Sequence, residues 1–345
     1  MREILDDVLA ELDGGTEFAI VTLVGDRGST PRAAGAAMLV RRDGLGAGTI
    51  GGGLLEHAMV REASGVLASG ESRLVDLSLS GTDLASPDEM VCGGAAEVLV
   101  AFVPPGDPVL RDALAAVAAA RAARRRVWLF TALPAAAGEA VDYCVLGDDD
   151  EVAGALLGEP RQLRAAIGKV AVHGSATLPD GRRVHVEQMA APATAVVCGG
   201  GHVGRALAPA ALAAGFAVTV LDDREEFADP SRFPGARTVL GPFGGALERL
   251  GVDEDCFIVI VTRGHTHDID VLQQALRTPA RYVGLMASRG KRARIVQALR
   301  DAGFTAADVA RVHSPIGLDI GAETPAELAV SIVAEMIKVR ARGEG

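Results

Sequence analysis

The chain has 345 residues, 49% of them hydrophobic and 23% charged, and a formal net charge of −11 at pH 7. This composition allows a sizeable core and excludes a chain that is disordered throughout, while the length suggests two domains, or three, of about 150 residues each. The net negative charge argues against a nucleic-acid-binding protein, which ordinarily presents a basic face to the phosphates.

The N-terminus and the cysteines predict a cytoplasmic protein. Residues 1–13 alternate acidic and apolar side chains at helical spacing and lack the basic start and apolar run of a signal peptide. No stretch reaches the roughly 20 apolar residues of a membrane helix, so we expect no membrane contact. The cysteines are too widely spaced for a disulfide framework, which fits reduced thiols; they are Cys92, Cys144, Cys198 and Cys256.

Residues 1–189 are predicted to form a glycine-rich N-terminal α/β domain. Apolar and β-branched runs predict its strands, and periodic or Ala-rich stretches predict its helices. The predicted strands cover residues 18–24, 37–41, 73–79, 96–103 and 127–130, with a hairpin of 175–177 and 183–186. The predicted helices cover residues 1–13, 109–124 and 161–167, and one that opens within 48–56 and runs to about 68. We find no internal repeat in the sequence.

Residues 194–345 alternate strands and helices regularly. The predicted strands cover residues 194–198, 217–221, 257–262 and 282–286, and the predicted helices cover 202–214, 269–276, 291–302 and a last one that begins near 324. Such alternation implies a parallel sheet with right-handed crossovers. We therefore predict a Rossmann-type parallel-sheet domain that binds a nucleotide.

The motif Gly199, Gly201, Gly204 follows the first of these strands and opens a helix at His202, and all four are candidate cofactor-binding residues. In a Rossmann fold, such glycines allow a tight turn and the close approach of a pyrophosphate to the helix N-terminus. Asp222 ends the next strand, where it is expected to accept hydrogen bonds from ribose hydroxyls. An acid there favours NAD or another nucleoside ligand over NADP. The alternative is a Rossmann sheet that has lost its ligand.

Two more segments are expected at the same sheet edge. Ser288 and Arg289 precede a helix, and their donors suit an anionic ligand. His265, with His267 and Asp268, invites a zinc or iron site, but the set has no second histidine cluster, and Asp268 is better interpreted as a helix N-cap. We assign no metal ligand and keep His265 as a candidate catalytic residue. Each segment alone is also compatible with an ordinary polar loop.

The N-terminal domain has two candidate features of its own. Gly51, Gly52 and Gly53 precede a helix and form a second candidate cradle for an anion. Glu56 lies in the first turn of that helix, where it binds with the cradle or only balances the helix dipole. Cys92 precedes two glycines and is a candidate catalytic thiolate, with a small buried apolar side chain as the alternative.

Taken together, these motifs resemble the XdhC/CoxI family of accessory proteins for molybdenum hydroxylases such as xanthine dehydrogenase. The resemblance covers nearly the whole chain, and it departs at Ala287, where the family is expected to have glycine. The matching segments are GSTPR (28–32), GTIGGGLLE (48–56), CGG (92–94), GGGHVG (199–204), VLDDR (220–224), TRGHTHD (262–268), YVGLMASR (282–289), PIGL (315–318) and TPAE (324–327).

The resemblance implies an accessory role. Family members are thought to bind molybdenum cofactor, to take part in its sulfuration, and to deliver it to the apo-hydroxylase. It therefore implies two partners, the molybdenum hydroxylase and a cysteine desulfurase, and it strengthens the assignment of Cys92 as a functional residue. A homodimer is the oligomeric state that we consider. The residues themselves leave two other functions open: an NAD-dependent oxidoreductase that uses His265 or His202, and a module that only senses a nucleotide.

Overall fold

A computed structural model describes residues 1–28, 32–78, 94–170, 173–263, 265–287 and 289–342. The chain divides into two compact units, Met1–Ala191 (unit 1) and Pro192–Gly345 (unit 2). Among the described residues, every helix is too short or too polar to cross a membrane. Cys92 and Ser288 lie outside the described residues.

Unit 1 contains four α-helices and ten strands within its described residues, after a short 3-10 helix at Arg2–Ile4. In chain order they are α1 (Leu5–Gly14), β1 (Phe18–Arg27), β2 (Ala37–Arg41), β3 (Gly44–Gly48), α2 (Gly53–Ser69), β4 (Arg73–Ser78), β5 (Ala95–Val103), α3 (Pro108–Ala122), β6 (Val127–Ala132), β7 (Tyr143–Gly147), β8 (Val152–Gly154), α4 (Pro160–Ile167), β9 (His173–Thr177) and β10 (Arg183–Met189). The predicted strands and helices all appear, and β3, β7 and β8 are additions to the prediction.

The strands of unit 1 form two five-stranded sheets with the same topology. The first has the order β3-β2-β1-β5-β4 and the second β8-β7-β6-β10-β9. All neighbouring strands are antiparallel in both sheets. Each half of the unit thus runs α-β-β-β-α-β-β. The sequence shows no internal repeat, but the topology of the two halves is repeated.

One glycine in each half explains part of this likeness. Gly48 ends β3 at φ +74°, and a Cβ there would lie 2.4 Å from the carbonyl oxygen of Ala37, the first residue of β2. Gly154 ends β8 at φ +82°, and its Cβ would lie 2.3 Å from the carbonyl oxygen of Tyr143, the first residue of β7. Both halves therefore require glycine at the same topological position.

Both faces of the first sheet are buried. Phe18 and Ile20 of β1 pack with α1 and α3 in a core that the second sheet shares, while Ala19 and Val21 pack against α2. The second sheet likewise carries α4 on its other face. Burial on both faces gives strands without polar alternation, which is why residues 18–24 form a continuous apolar run.

Unit 2 contains a single six-stranded sheet and the helices that cover it. Its elements are β11 (Thr194–Cys198), α5 (His202–Ala213), β12 (Ala217–Asp222), β13 (Arg237–Leu240), α6 (Ala246–Arg249), β14 (Cys256–Ile260), α7 (His265–Leu276), β15 (Tyr282–Leu285), α8 (Arg289–Asp301), α9 (Ala306–Ala310), β16 (Val312–His313) and α10 (Pro325–Arg342).

The sheet of unit 2 confirms the predicted fold class. Its order is β13-β12-β11-β14-β15-β16, and every neighbouring pair is parallel. Counted from β11, this is the Rossmann order 3-2-1-4-5-6. The order reverses between β11 and β14, and ligands of such sheets bind outside the carboxyl ends of the strands at that switch point.

Candidate functional site

Two glycines shape the loop between β11 and α5 at the switch point. Gly199 has φ +119°, and a Cβ there would lie 2.5 Å from the carbonyl oxygen of Val261, just after β14. A Cβ on Gly204 would lie 2.0 Å from the carbonyl oxygen of Gly199. Both glycines are therefore needed for packing, the first against the end of β14 and the second between α5 and its own loop.

Gly201 differs from the other two glycines because the space beside it is open. Among the described residues, a Cβ on Gly201 would meet no atom within 4 Å. Gly201 is also the N-cap of α5, and no side chain caps this helix end. The first N–H groups of a helix carry a partial positive charge and lack intrahelical partners. The loop thus offers an anion such as phosphate an unobstructed approach to the amides at the start of α5.

Asp222 lies at the end of β12, beside this loop, and is only 1% exposed. Its Oδ2 accepts hydrogen bonds from the Gly200 amide (2.9 Å) and from Arg224 Nη2 (3.2 Å). Its Oδ1 accepts from the Arg224 amide (3.1 Å) and from Arg224 Nε (3.0 Å). Burial raises the pKa of this carboxyl, but the bonds from Arg224 and Gly200 outweigh burial and leave the pKa below its ordinary value. Asp222 is therefore an ionised carboxylate bound by its own chain.

The segment after β12 covers part of the loop. The Arg224 guanidinium carbon lies 3.5 Å from the centroid of the Phe227 ring, and Arg232 approaches the same ring at 4.8 Å. The carbonyl oxygen of Phe227 lies 2.0 Å from the place that a Cβ on Gly200 would occupy. Gly200 therefore has to be glycine for packing reasons that the dinucleotide motif does not include.

The residues after β14 form polar contacts with one another and with Asp223, which follows β12. Thr262 Oγ1 donates to Asp268 Oδ1 over 2.6 Å, and Asp268 is buried. Arg263 Nη2 lies 3.2 Å from Asp223 Oδ2, and His267 Nε2 lies 4.0 Å from the same oxygen. Within the described ranges, no group of three or more His, Cys, Asp or Glu side chains is placed to hold a metal ion.

In unit 1, the carboxylate of Glu56 accepts hydrogen bonds from the glycine-rich loop that precedes it. Glu56 Oε2 accepts hydrogen bonds from the Gly52 amide (3.2 Å) and from Thr49 Oγ1 (2.5 Å). The Gly51 amide donates to Thr49 Oγ1 over 3.1 Å. Side-chain oxygens thus bind the amides of Gly51 and Gly52, where the sequence suggested an external anion.

Unit 1 also contains an open cavity of about 1110 Å³ that was not predicted from the sequence. It lies among the ends of β1, β4 and β5 in the first sheet and of β9 and β10 in the second. Its ionisable lining residues are Asp26, Arg27, Asp76, Glu97, His173 and Arg183. Arg27 precedes the GSTPR segment, and that adjacency was the one signal in the sequence that pointed here.

Met1, His185 and Glu187 form a buried polar cluster. His185 and Glu187 lie on β10, the strand whose Arg183 lines the cavity. The α-amino group of Met1 lies 3.0 Å from Glu187 Oε1, and both groups are buried. Burial raises the pKa of Glu187, but the Met1 ammonium and His185 outweigh it and leave the pKa low. Burial lowers the pKa of His185 to about 4. Neither His185 ring nitrogen forms a hydrogen bond within the described residues, so a neutral imidazole stands next to an ion pair.

Sequence profiles match both parts of this chain. One described as the XdhC Rossmann domain matches residues 195–336, and one described as the XdhC and CoxI family matches residues 12–78. The chain belongs to the XdhC and CoxI family. Within the Rossmann match lie the glycine loop, Asp222 and Arg224. Neither matched range includes Cys92.

Two relatives match nearly the whole chain, and a third matches part of it. The chain is 29% identical over 332 residues to uncharacterized protein YqeB of Escherichia coli, covering 95% of this chain and 44% of YqeB. It is 25% identical over 345 residues to the molybdenum cofactor insertion chaperone PaoD of E. coli, covering 99% of this chain and 90% of PaoD. One probable subunit of a xanthine dehydrogenase from Bacillus subtilis is 31% identical over 140 residues, 39% of each chain.

The matched region thus covers less than half the length of YqeB and of the B. subtilis relative. A crystal structure of a xanthine dehydrogenase from Bacillus halodurans superposes with a TM-score of 0.81 at 25% identity. The match covers 98% of this chain and 96% of that chain. The fold described above is therefore shared across both units.

Three other predicted site residues of unit 2 lie at the starts of helices. His202 is the exposed first residue of α5. His265 and Arg289 begin α7 and α8, but their side chains lie outside the described part of the structure. The described cysteines, Cys144, Cys198 and Cys256, are buried, and burial raises the pKa of Cys198 to about 12.

Proposed function

We propose that this protein is a molybdenum cofactor insertion chaperone that delivers the cofactor to a molybdenum hydroxylase of the xanthine dehydrogenase type. The observation that carries the proposal is the similarity to PaoD, which extends over 99% of this chain and 90% of PaoD. A relative that shares both units supports a shared role more strongly than a Rossmann fold alone, because that fold serves many activities.

The molybdenum cofactor is cargo in this proposal, and it carries a phosphate group. The loop at Gly201 fits such a group, because a Cβ there would meet no atom of the described residues within 4 Å and the amides at the start of α5 favour an anion. In our proposal, Gly199 and Gly204 keep the loop against α5 and β14, and Gly201 leaves the approach open. These residues bind and orient, and none of them has to move a proton.

The finer part of the proposal concerns sulfuration. We include a cysteine desulfurase as sulfur donor and Cys92 as the thiol that contacts the cargo, on the strength of the family resemblance. His265, Ser288 and Arg289 are included as residues near the ligand, because they follow β14 and β15 at the carboxyl edge of the sheet. A cytoplasmic protein that forms a homodimer remains our expectation.

Deleting the gene tests the proposal, and restoring it with variants tests the site. The deletion strain should contain the hydroxylase polypeptide, but with little activity and little molybdenum. The wild type and Gly65→Val should restore both, because a Cβ on Gly65 in α2 also meets nothing within 4 Å. Gly201→Val should restore neither. Full hydroxylase activity in a deletion strain without a second homologue would overturn the proposal.

A second measurement addresses the oxidoreductase alternative, which the Rossmann order of unit 2 favours. Purified protein is mixed with NADH and aldehydes, or with NAD⁺ and hydroxy acids, and absorbance is followed. A chaperone gives no turnover. Sustained NADH oxidation that depends on His265 would support the oxidoreductase.

A further inference from the structure

We infer that Arg224 determines which ligands unit 2 accepts, because it occupies the carboxylate of Asp222 and so excludes a ribose diol. The inference deepens the proposed function by naming the ligand class: a phosphate monoester, held without a ribose on Asp222, and not a dinucleotide such as NAD.

The position of Asp222 is the one that binds ribose in NAD-binding Rossmann domains. It is the last residue of β12, and β12 pairs directly with β11, the strand that leads into the glycine loop. An acid there ordinarily accepts hydrogen bonds from both ribose hydroxyls. The sequence alone therefore predicts NAD or another nucleoside ligand.

The hydrogen bonds of Asp222 change that prediction. An ionised carboxylate has about four acceptor sites. Gly200 and Arg224 provide four donors to Asp222, two on each oxygen, and the residue is 1% exposed. A ribose diol would have to displace Arg224 before it could bind.

Arg224 is held in place from its other side as well. Its guanidinium stacks on Phe227 with 3.5 Å between the guanidinium carbon and the ring centroid. The backbone of Phe227 is in turn packed against Gly200. Displacing Arg224 would break charge-assisted hydrogen bonds and a cation–π contact together. Arg224 thus acts as a latch on Asp222.

The latch leaves the phosphate approach open. Neither Arg224 nor Phe227 lies within 4 Å of the Cβ position on Gly201. A ligand anchored only through a phosphate at the start of α5 avoids Asp222 altogether. Unit 2 would therefore discriminate between a phosphate monoester and a dinucleotide through one side chain.

The test measures NAD⁺ binding to purified full-length protein by calorimetry. Arg224→Ala should raise NAD⁺ affinity at least about tenfold over the wild type, because it frees Asp222 to accept from ribose. Asp222→Asn in the Arg224→Ala background should cancel the gain. Arg232→Ala is the matched control, since Arg232 stacks on the same ring without touching Asp222, and it should leave NAD⁺ affinity unchanged.

Inorganic phosphate is the second probe. It should bind the wild type and Arg224→Ala equally, and Gly201→Val should abolish its binding. Arg224→Met, which keeps a long side chain near Phe227 but has no donor for Asp222, replaces Arg224→Ala if circular dichroism shows that the latter is unfolded.

Two results would overturn the inference. One is tight NAD⁺ binding to the wild type that Asp222→Asn abolishes, and the other is phosphate binding that ignores Gly201→Val. Because these assays use purified protein, they are independent of hydroxylase maturation in cells. A failure of the chaperone proposal would therefore be distinguishable from a failure of the latch.

Discussion

Arg183 on β10 donates from both terminal nitrogens to the two carboxylate oxygens of Glu97 on β5, over 2.8 and 2.6 Å, and so joins the two sheets of unit 1. Asp76 lies directly across from Glu97 on β4, so two carboxylates occupy neighbouring positions on adjacent strands. Like charges in such positions repel each other. Arg183 therefore offsets this repulsion while it forms the ion pair.

We expect Arg183→Ala to lower the free energy of unfolding by about 1 kcal/mol, because it removes a partly exposed ion pair and leaves the two carboxylates facing each other. Glu97→Ala should cost less, since it also relieves the repulsion from Asp76. Urea unfolding of the two single variants and the double variant gives the coupling energy.

Arg182→Ala is the control for this cycle, because Arg182 pairs with Asp180 inside the hairpin turn and should show no coupling to Glu97. A coupling energy near zero between Arg183 and Glu97 would contradict the assignment.

His185 should make stability depend on pH. Burial lowers its pKa from the ordinary 6.5 to about 4 in the folded protein. Between pH 6.5 and about 4, the unfolded chain therefore takes up a proton that the folded protein refuses. The contribution of His185 to the free energy of unfolding is fully present above pH 6.5. It falls as the pH drops through this window, by about 3 kcal/mol in total.

His185→Leu should remove that pH dependence. The ring makes no hydrogen bond of good geometry within the described residues, so an apolar replacement should change the free energy of unfolding at pH 7 by about 1 kcal/mol or less. Urea unfolding at pH 7, 6 and 5 measures the slope. His57→Gln, on the exposed side of α2, should retain the slope of the wild type. An unchanged slope in His185→Leu would show that another group is responsible.

The sequence was informative where structure depends on local pattern. Gly199, Gly201 and Gly204 predicted the loop of unit 2 because each glycine has a local task in a strand–turn–helix unit. The direction of the Arg224 side chain was not predictable. Its position two residues after Asp222 is equally compatible with a side chain that points into solvent. Its hydrogen bonds to Asp222 and its contact with the ring of Phe227 fix its orientation.

Two of the three missed strands in unit 1, β3 and β8, have physical reasons too. β3 has the sequence GLGAG, in which glycine predominates and β-branched residues are absent. β8 has three residues, too few for any periodicity. The pairing of strands into two sheets depends on contacts between distant residues, such as Phe18 with Val103. For that reason the strands of unit 1 were predictable one by one, but their repeated order was not.

The repeated topology predicts matched effects at Gly48 and Gly154. Alanine at either position would place a Cβ about as close to a backbone carbonyl oxygen, 2.4 or 2.3 Å away, at a positive φ. Each substitution should lower the free energy of unfolding by about 2 kcal/mol or more. Gly181→Ala is the control, because it has φ +91° but meets nothing within 4 Å, so it reports backbone strain alone. A similar cost for all three substitutions would mean that the close contacts contribute nothing.

Gly204 and Gly201 should separate stability from binding within one loop. Alanine at 204 would place its Cβ 2.0 Å from the carbonyl oxygen of Gly199, and a backbone atom cannot move aside without distorting the loop. We expect Gly204→Ala to cost about 2–3 kcal/mol of unfolding free energy. Gly201 has φ −69° and open space around its Cβ position. Gly201→Ala should therefore cost about 1 kcal/mol or less, mainly through the poorer N-cap.

Urea unfolding and phosphate calorimetry on the same protein samples distinguish the two roles. Gly201→Ala should stay folded with weakened phosphate binding, and Gly201→Val should lose that binding while it remains folded, because each added side chain occupies more of the approach to α5. Gly204→Ala should lose stability first, and the fraction that is still folded should bind phosphate as the wild type does. A stable Gly204→Ala protein, or a Gly201→Val protein with unchanged phosphate affinity, would contradict these roles.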